Sequence, residues 1–195
     1  MASEKLHREV VWNTAQSVDE AAGGRVLVSG ETVAMDKELM EELGVSHVLR
    51  VGSFLDAHFA DDFVYSEPIE VLDMPDVPII NHFDYGVSFV ADALASDPTA
   101  RVLVHCQHGQ SRSVTLLAAF LMTKHGMEVE AALAAITRAR PVAEPNEGFV
   151  LQLKLYAALG CTTDHPVGSP GAALLDVFYA GQGEFAYVPQ WKRYT

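Results

Sequence analysis

Short apolar runs alternating with longer amphipathic ones set the rhythm of this chain. Val26-Leu27-Val28, closed by Ser29-Gly30, predicts a short strand. Residues 37–43 have helix-forming composition, and Gly44 can stop them. Residues 45–51 are rich in β-branched side chains with poor alternation, as a strand buried on both faces should be. Residues 63–72 predict another strand, interrupted at Pro68, that runs into the loop Asp73-Met74-Pro75-Asp76-Val77-Pro78. Over residues 81–94, Phe83, Val87, Val90 and Leu94 recur at near-helical spacing. Residues 101–105 predict a strand, and 111–125 a helix so apolar that it belongs at the domain centre. A helix over 128–140, a turn over 144–149 and a last helix over 150–159, closed by Gly160, complete the pattern. Strands alternate with helices throughout, so the fold class is α/β: a mostly parallel central sheet flanked by helices.

This pattern fills residues 25–160 and marks them as one domain. Residues 1–24 are mixed, end in Ala-Ala-Gly-Gly and read as an N-terminal leader. Residues 161–195 form a C-terminal extension punctuated by Pro166, Gly168, Pro170, Gly171, Gly181 and Gly183. Leu174, Leu175, Phe178, Tyr179, Phe185, Tyr187 and Trp191 still give it material to pack. It reads as a tail folded back on the domain, or else as a strip for a partner.

Charge narrows the class. The 195 residues carry a formal net charge of −13, which argues against general affinity for nucleic acid or for anionic membrane. No run approaches the length of a membrane span. Cys106 and Cys161, the two cysteines, make no disulfide framework. A reducing compartment, cytoplasmic or nuclear, is therefore expected.

The chemistry gathers in Val102-Leu103-Val104-His105-Cys106-Gln107-His108-Gly109-Gln110-Ser111-Arg112-Ser113. A strand runs into His-Cys, five residues follow, and Arg-Ser opens the central helix. Five residues leave room only for a tight turn, whose backbone N–H groups converge with those of the helix N-terminus into a cradle for a tetrahedral dianion. Gly109 supplies the backbone freedom the bend requires, and Arg112 can hold two oxygens in a bidentate fork. Cys106 at the bottom of this electropositive cup is a candidate thiolate nucleophile. Alone it would count as core filling; in register with His105, Gly109, Arg112 and Ser113 it points to a cysteine-dependent phosphatase. His105-Cys106-Gln107-His108 is too tight a set for a tetrahedral metal site, and no cofactor is expected.

Cys-x5-Arg-Ser after His resembles the signature of the protein tyrosine phosphatase superfamily. Leu49-Arg50-Val51-Gly52, the acid loop, the signature and Pro145-Asn146-Glu147-Gly148-Phe149 follow one another in the order used by dual-specificity phosphatases. Asn146 to Phe149, followed by Gln152-Leu153-Lys154-Leu155-Tyr156, is most similar to the branch whose members usually carry a C-terminal zinc-binding domain. The last 35 residues here hold one Cys, so no zinc domain is expected in them. The resemblance implies a dual-specificity phosphatase-like fold over residues 25–160 and a two-step mechanism. Cys106 attacks phosphorus, Arg112 stabilises the equatorial oxygens, and Ser113 assists departure of the thiolate. His105 orients the loop, and Asn146 braces it from behind. Gln107, His108, Gly109, Gln110 and Ser111 line the phosphate site. Asp73 and Asp76 compete for the role of general acid. Asp73, ten residues before Phe83 and six before Ile79, matches the family spacing and is favoured.

The expected substrate is a phosphoprotein, on phosphotyrosine and phosphoserine or phosphothreonine. Members that favour phosphoinositides place Lys inside the signature, where this chain has Gln107, His108, Gln110 and Ser111. A non-protein phosphoester (phosphoinositide, RNA 5′-phosphate or glucan) is the alternative substrate. A phosphoprotein-docking module with little activity is the alternative function.

Overall fold

The computed structural model describes residues 15–18 and 24–181. Its sheet is built on β2 (Val26–Ser29) and β3 (His47–Arg50), which pair in parallel on either side of β5 (Val102–His105). β1 (Gln16–Ser17) adds an antiparallel edge to β2, and β4 (Val64–Tyr65) a parallel one to β3. The strand order is β1-β2-β5-β3-β4. The side-chain period of two sends Val26, Val28, Leu49, Val102 and Val104 into one core, and Leu27, Val48 and Leu103 into another. Both faces of the central strands are dry, so these runs are continuously apolar.

The smaller core is closed by α1 (Glu31–Ala34) and α2 (Lys37–Glu42), which contribute Val33, Ala34 and Met40. Asp36 caps α2 by accepting a 3.0 Å hydrogen bond from the Leu39 N–H. The larger core is closed by α3 (Phe83–Ser96), α4 (Arg112–His125), α5 (Val129–Ala139) and α6 (Glu147–Ala158). Every residue of α4 from Arg112 to Met122 is buried, which explains why its sequence is apolar all round.

The expected strand over 63–72 shrinks to Val64–Tyr65 and one isolated bridge from Val51 to Ile69. Pro68 has no N–H to give to a ladder, and pairing lapses around it. The expected turn over 144–149 ends early: α6 begins at Glu147 because Asn146 Oδ1 accepts from the Phe149 N–H at 2.9 Å. The pattern also missed α1. In the extension, α7 (Pro170–Gly181) buries Leu175 in the larger core, and the Tyr179 hydroxyl donates to Asn81 Oδ1. These residues fold back on the domain. Residues 1–14, 19–23 and 182–195, parts of the expected leader and extension, lie outside the described residues.

Candidate active site

β2, β5 and β3 end level at Ser29, His105 and Arg50, the carboxyl end of a parallel sheet, where α/β folds place their sites. The five-residue loop turns there. Cys106 forms its floor at 1% exposure. The Cys106 Sγ accepts a hydrogen bond from the Gly109 N–H and lies near Ser113 Oγ, each at 3.2 Å. Gly109 holds φ at 64°, and a Cβ at that position would lie 2.4 Å from the Ser29 carbonyl oxygen. Both the turn and the close approach therefore require glycine. Ser111 leads into α4 without a side-chain cap, which leaves first-turn N–H groups for an anion.

The back of the loop is held by a residue that the sequence reading missed. Arg140, at the C-terminal end of α5 and 0% exposed, donates from Nε to the Gly109 carbonyl at 2.6 Å. Its Nη2 reaches the His108 carbonyl at 3.0 Å, and its Nη1 reaches the Gln16 side chain on β1. With both carbonyls turned backward onto a guanidinium, loop N–H groups are left to face the cup. Burial lowers the Arg140 pKa, and Cys106 pulls it the other way. The only hint in the sequence is an Arg ahead of Pro141 at a helix end, which does not distinguish it from a surface cation.

In front of the loop stands Asp73. Its Oδ1 accepts from Ser111 Oγ at 2.6 Å and from Asn146 Nδ2 at 2.9 Å, and its Oδ2 lies 3.6 Å from Arg112 Nε. Arg112 Nη1 donates to the Val71 carbonyl at 3.3 Å. The buried Arg112 Nε has no hydrogen bond; it is a donor waiting for an oxygen. Gly52 lies against this guanidinium, since a Cβ there would come within 2.6 Å of Nη1. Asn146 was expected to brace the loop from behind. Instead it joins Asp73 to Ser111, its own N–H meeting Ser111 Oγ at 3.3 Å, and Arg140 occupies the rear.

One face of α6 fixes the acid loop. Gly148, Gln152 and Tyr156 are four residues apart and share that face. A Cβ on Gly148 would sit 1.9 Å from the Pro75 carbonyl oxygen, so only glycine lets the loop lie down here. Gln152 donates to the Val77 carbonyl at 2.9 Å and accepts from the Ile80 N–H at 3.0 Å. The Tyr156 hydroxyl donates to Asp84 on α3 at 2.7 Å. Asp76 is exposed and lines a neighbouring cavity.

The remaining candidates frame the cup. His105 is buried, and neither ring nitrogen has a hydrogen-bond partner. Burial pulls its imidazole down to about 4, with the Cys106 backbone opposing and Arg50 adding to the fall, so it is neutral at pH 7. Gln107 and His108 are exposed. Gln110 donates from Nε2 to Glu144 at 3.3 Å and accepts at its carbonyl from the Glu144 N–H. Away from the cup, burial pushes the Cys161 thiol up, and the charges of Glu128 and Asp84 add to the effect. Among the described residues no group of three His, Cys, Asp or Glu is placed to hold a metal, and no helix is long and apolar enough to cross a membrane.

The profile of the dual specificity phosphatase catalytic domain matches residues 26–158. Dual specificity protein phosphatase 1 of Arabidopsis thaliana is 42% identical over 121 residues, 62% of this chain and 60% of that protein. The chain thus spans about three fifths of that relative's length. The crystal structure of the human tyrosine phosphatase-like serine/threonine/tyrosine-interacting protein superposes with a TM-score of 0.70 at 25% identity, over 77% of this chain and 99% of that one. The Yvh1 phosphatase domain from Chaetomium thermophilum superposes with a TM-score of 0.65 at 30% identity, over 72% and 95%.

Proposed function

The chain belongs to the dual-specificity phosphatases, and from that premise we propose that it hydrolyses phosphotyrosine and phosphoserine or phosphothreonine in proteins through a phosphocysteine intermediate. The observation that carries this reading is the convergence of Cys106 Sγ, Ser113 Oγ, Arg112 and Asp73 on one cradle.

The substrate phosphate enters the cradle and takes Arg112 from Asp73, whose partly exposed carboxylate takes up a proton from solvent as the ion pair opens. Cys106 Sγ attacks phosphorus, the P–O bond to the leaving group breaks, and Asp73 gives that oxygen its proton. Arg112 and the loop N–H groups hold the three equatorial oxygens as charge moves onto them. Asp73, now a carboxylate, accepts a proton from the water that attacks the phosphocysteine. The S–P bond breaks, phosphate leaves, and Ser113 Oγ, 3.2 Å from Sγ, donates to the departing thiolate.

One neighbour's name describes it as phosphatase-like and interacting, the docking alternative. The intact Cys106, Arg112 and Ser113 set favours catalysis here. A loop interior of Gln107, His108, Gln110 and Ser111 without Lys or Arg, with the −13 net charge, favours phosphoprotein over phosphoinositide, RNA or glucan. Two cysteines without a disulfide support a cytosolic or nuclear setting.

The test is hydrolysis of a small aryl phosphate by the purified chain, with EDTA present. Activity that Cys106→Ser abolishes is expected. No activity, or activity that survives Cys106→Ser, overturns the proposal.

A further inference from the structure

Beside the acid loop lies a cavity of about 620 Å³ whose floor is apolar, made by Val71, Leu72, Met74, Val77 and Pro78. Glu70, Asp76 and His82 stand among these residues, and among the described residues no Lys or Arg lines the cavity. It adjoins the catalytic groups directly: the Val71 carbonyl accepts from Arg112, and Asp73 sits between Leu72 and Met74 in the chain.

Three observations mark this cavity as a site for something outside the described fold. Leu72 and Met74 are about half exposed, although burying them would be favourable. Next to the lining residue Ser53, Phe54 is 93% exposed and keeps φ at 65°, a conformation a bulky residue rarely holds without cause. The segment is not loose. Arg50 ties the Leu55 carbonyl at 3.1 Å and the Ser66 carbonyl at 2.7 Å, so both ends of the loop carrying Phe54 are fixed. The charge then selects the visitor. Burial lowers the pKa of His82 and so disfavours its cationic form, and the two carboxylates repel an acidic ligand and attract a basic one.

We propose that this groove is a specificity subsite for the substrate polypeptide. It takes a large aliphatic side chain near the phosphorylated residue, while an adjacent Lys or Arg of the substrate meets Glu70 and Asp76. This rests on the reading of the chain as a protein phosphatase. The phosphorylated residue reaches down to Cys106, and the flanking chain passes over the Asp73 loop into the groove. The loop that carries the general acid thereby also reads sequence.

The test measures kcat/KM of the full chain for paired phosphotyrosine peptides, one flanked by Leu and Arg and the other by Gly and Glu. A small aryl phosphate, which cannot reach the groove, is the control. The Leu-Arg peptide is expected to be favoured by about tenfold. Met74→Glu should remove most of that preference, and Glu70→Lys should cut its basic component by about threefold. Both side chains are exposed, so both variants should fold, and each peptide rate is read relative to the same variant's own rate on aryl phosphate. Equal rates on the two peptides beside a normal aryl phosphatase rate would overturn the subsite and leave the phosphatase reading standing. A preference that survives both substitutions would overturn it as well. Faster hydrolysis of phosphoinositide in vesicles than of either peptide would overturn the polypeptide as substrate. If no phosphoester is hydrolysed, aryl phosphate included, the phosphatase reading itself falls and the subsite with it.

Discussion

Arg140 offers a sharp test of how the cradle is made. Arg140→Met keeps an unbranched apolar stem and removes every donor. The Gly109 and His108 carbonyls then lose their bonds of 2.6 and 3.0 Å. Each buried carbonyl left without a donor costs about 1–3 kcal/mol, so the pair costs about 2–6 kcal/mol. A domain stable by about 5–15 kcal/mol can survive that, but the loop can recover part of the loss by rotating a peptide plane. Such a rotation takes an N–H out of the cup. If half the cost appears as lost anion binding, inhibition by vanadate weakens roughly 5- to 150-fold at about 1.4 kcal/mol per decade. Arg140→Lys keeps the charge but cannot fork to two carbonyls, and should fall between parent and Met. The assays are thermal melting, vanadate inhibition and kcat/KM for an aryl phosphate, run on all three proteins. A Met variant within twofold of the parent in vanadate inhibition and kcat/KM would refute the reasoning. The loop would then hold its shape through its other contacts, among them Gly109 to Cys106, Gln110 to Glu144 and the Glu31 N–H to the Gln107 carbonyl.

The acid loop gives the next two tests. Asp73→Asn should cost about 10²–10⁴-fold in kcat for substrates with poor leaving groups and steepen the leaving-group dependence, while Asp76→Asn changes little; the reverse result would move the acid three residues toward α3. Gly148→Ala puts a methyl group into the Pro75 carbonyl, so it should lower kcat for poor leaving groups at least tenfold and spare vanadate binding; unchanged rates would mean that the loop is not seated on α6. His105 supplies a pH dependence. Its imidazole is held down to about 4 against an ordinary 6.5, so the unfolded chain binds the extra proton first. Its contribution of about 3 kcal/mol is intact above pH 6.5 and drains away as pH falls to about 4. Urea unfolding of parent and His105→Asn between pH 7 and 4 should show the variant losing less stability, and parallel curves would sink this account.

What the sequence made legible follows from the range of the forces involved. Cys106, Gly109, Arg112 and Ser113 were readable because one strand, one short loop and one helix start fix them within eight residues of chain. The central strands were readable because their two dry faces leave a continuous apolar imprint. Arg140 was not, since a guanidinium 31 positions from Gly109 acts through backbone carbonyls and leaves no pattern in the residues it holds. Asn146 was assigned to the right neighbourhood and the wrong side of the loop, because family order locates a residue along the chain but not around the site. α7 escaped because Pro166, Gly168, Pro170 and Gly171 look like loop chemistry, whereas Pro170 opens a helix in which a missing N–H costs nothing.

The two supports of the site come from different helices and meet only at its mouth. Arg140, at the end of α5, sets the cradle, and one face of α6 sets the acid loop. Ser111 and Arg112 from the cradle then touch Asp73 from the loop. With no phosphate bound, Asp73 is the nearest anion to Arg112, yet the approach is loose at 3.6 Å and Asp73 keeps 34% side-chain exposure. A partly solvated pair of that kind is worth about 0–1 kcal/mol. A phosphate dianion offers the fork two oxygens in line with its N–H bonds and gains charge-assisted hydrogen bonds in return. The exchange favours substrate, so the Asp73–Arg112 contact keeps both groups in position without obstructing the cup. Ser111 and Asn146 already occupy Asp73 Oδ1, so Oδ2, once Arg112 turns to the phosphate, is the oxygen left to carry the proton for the leaving group.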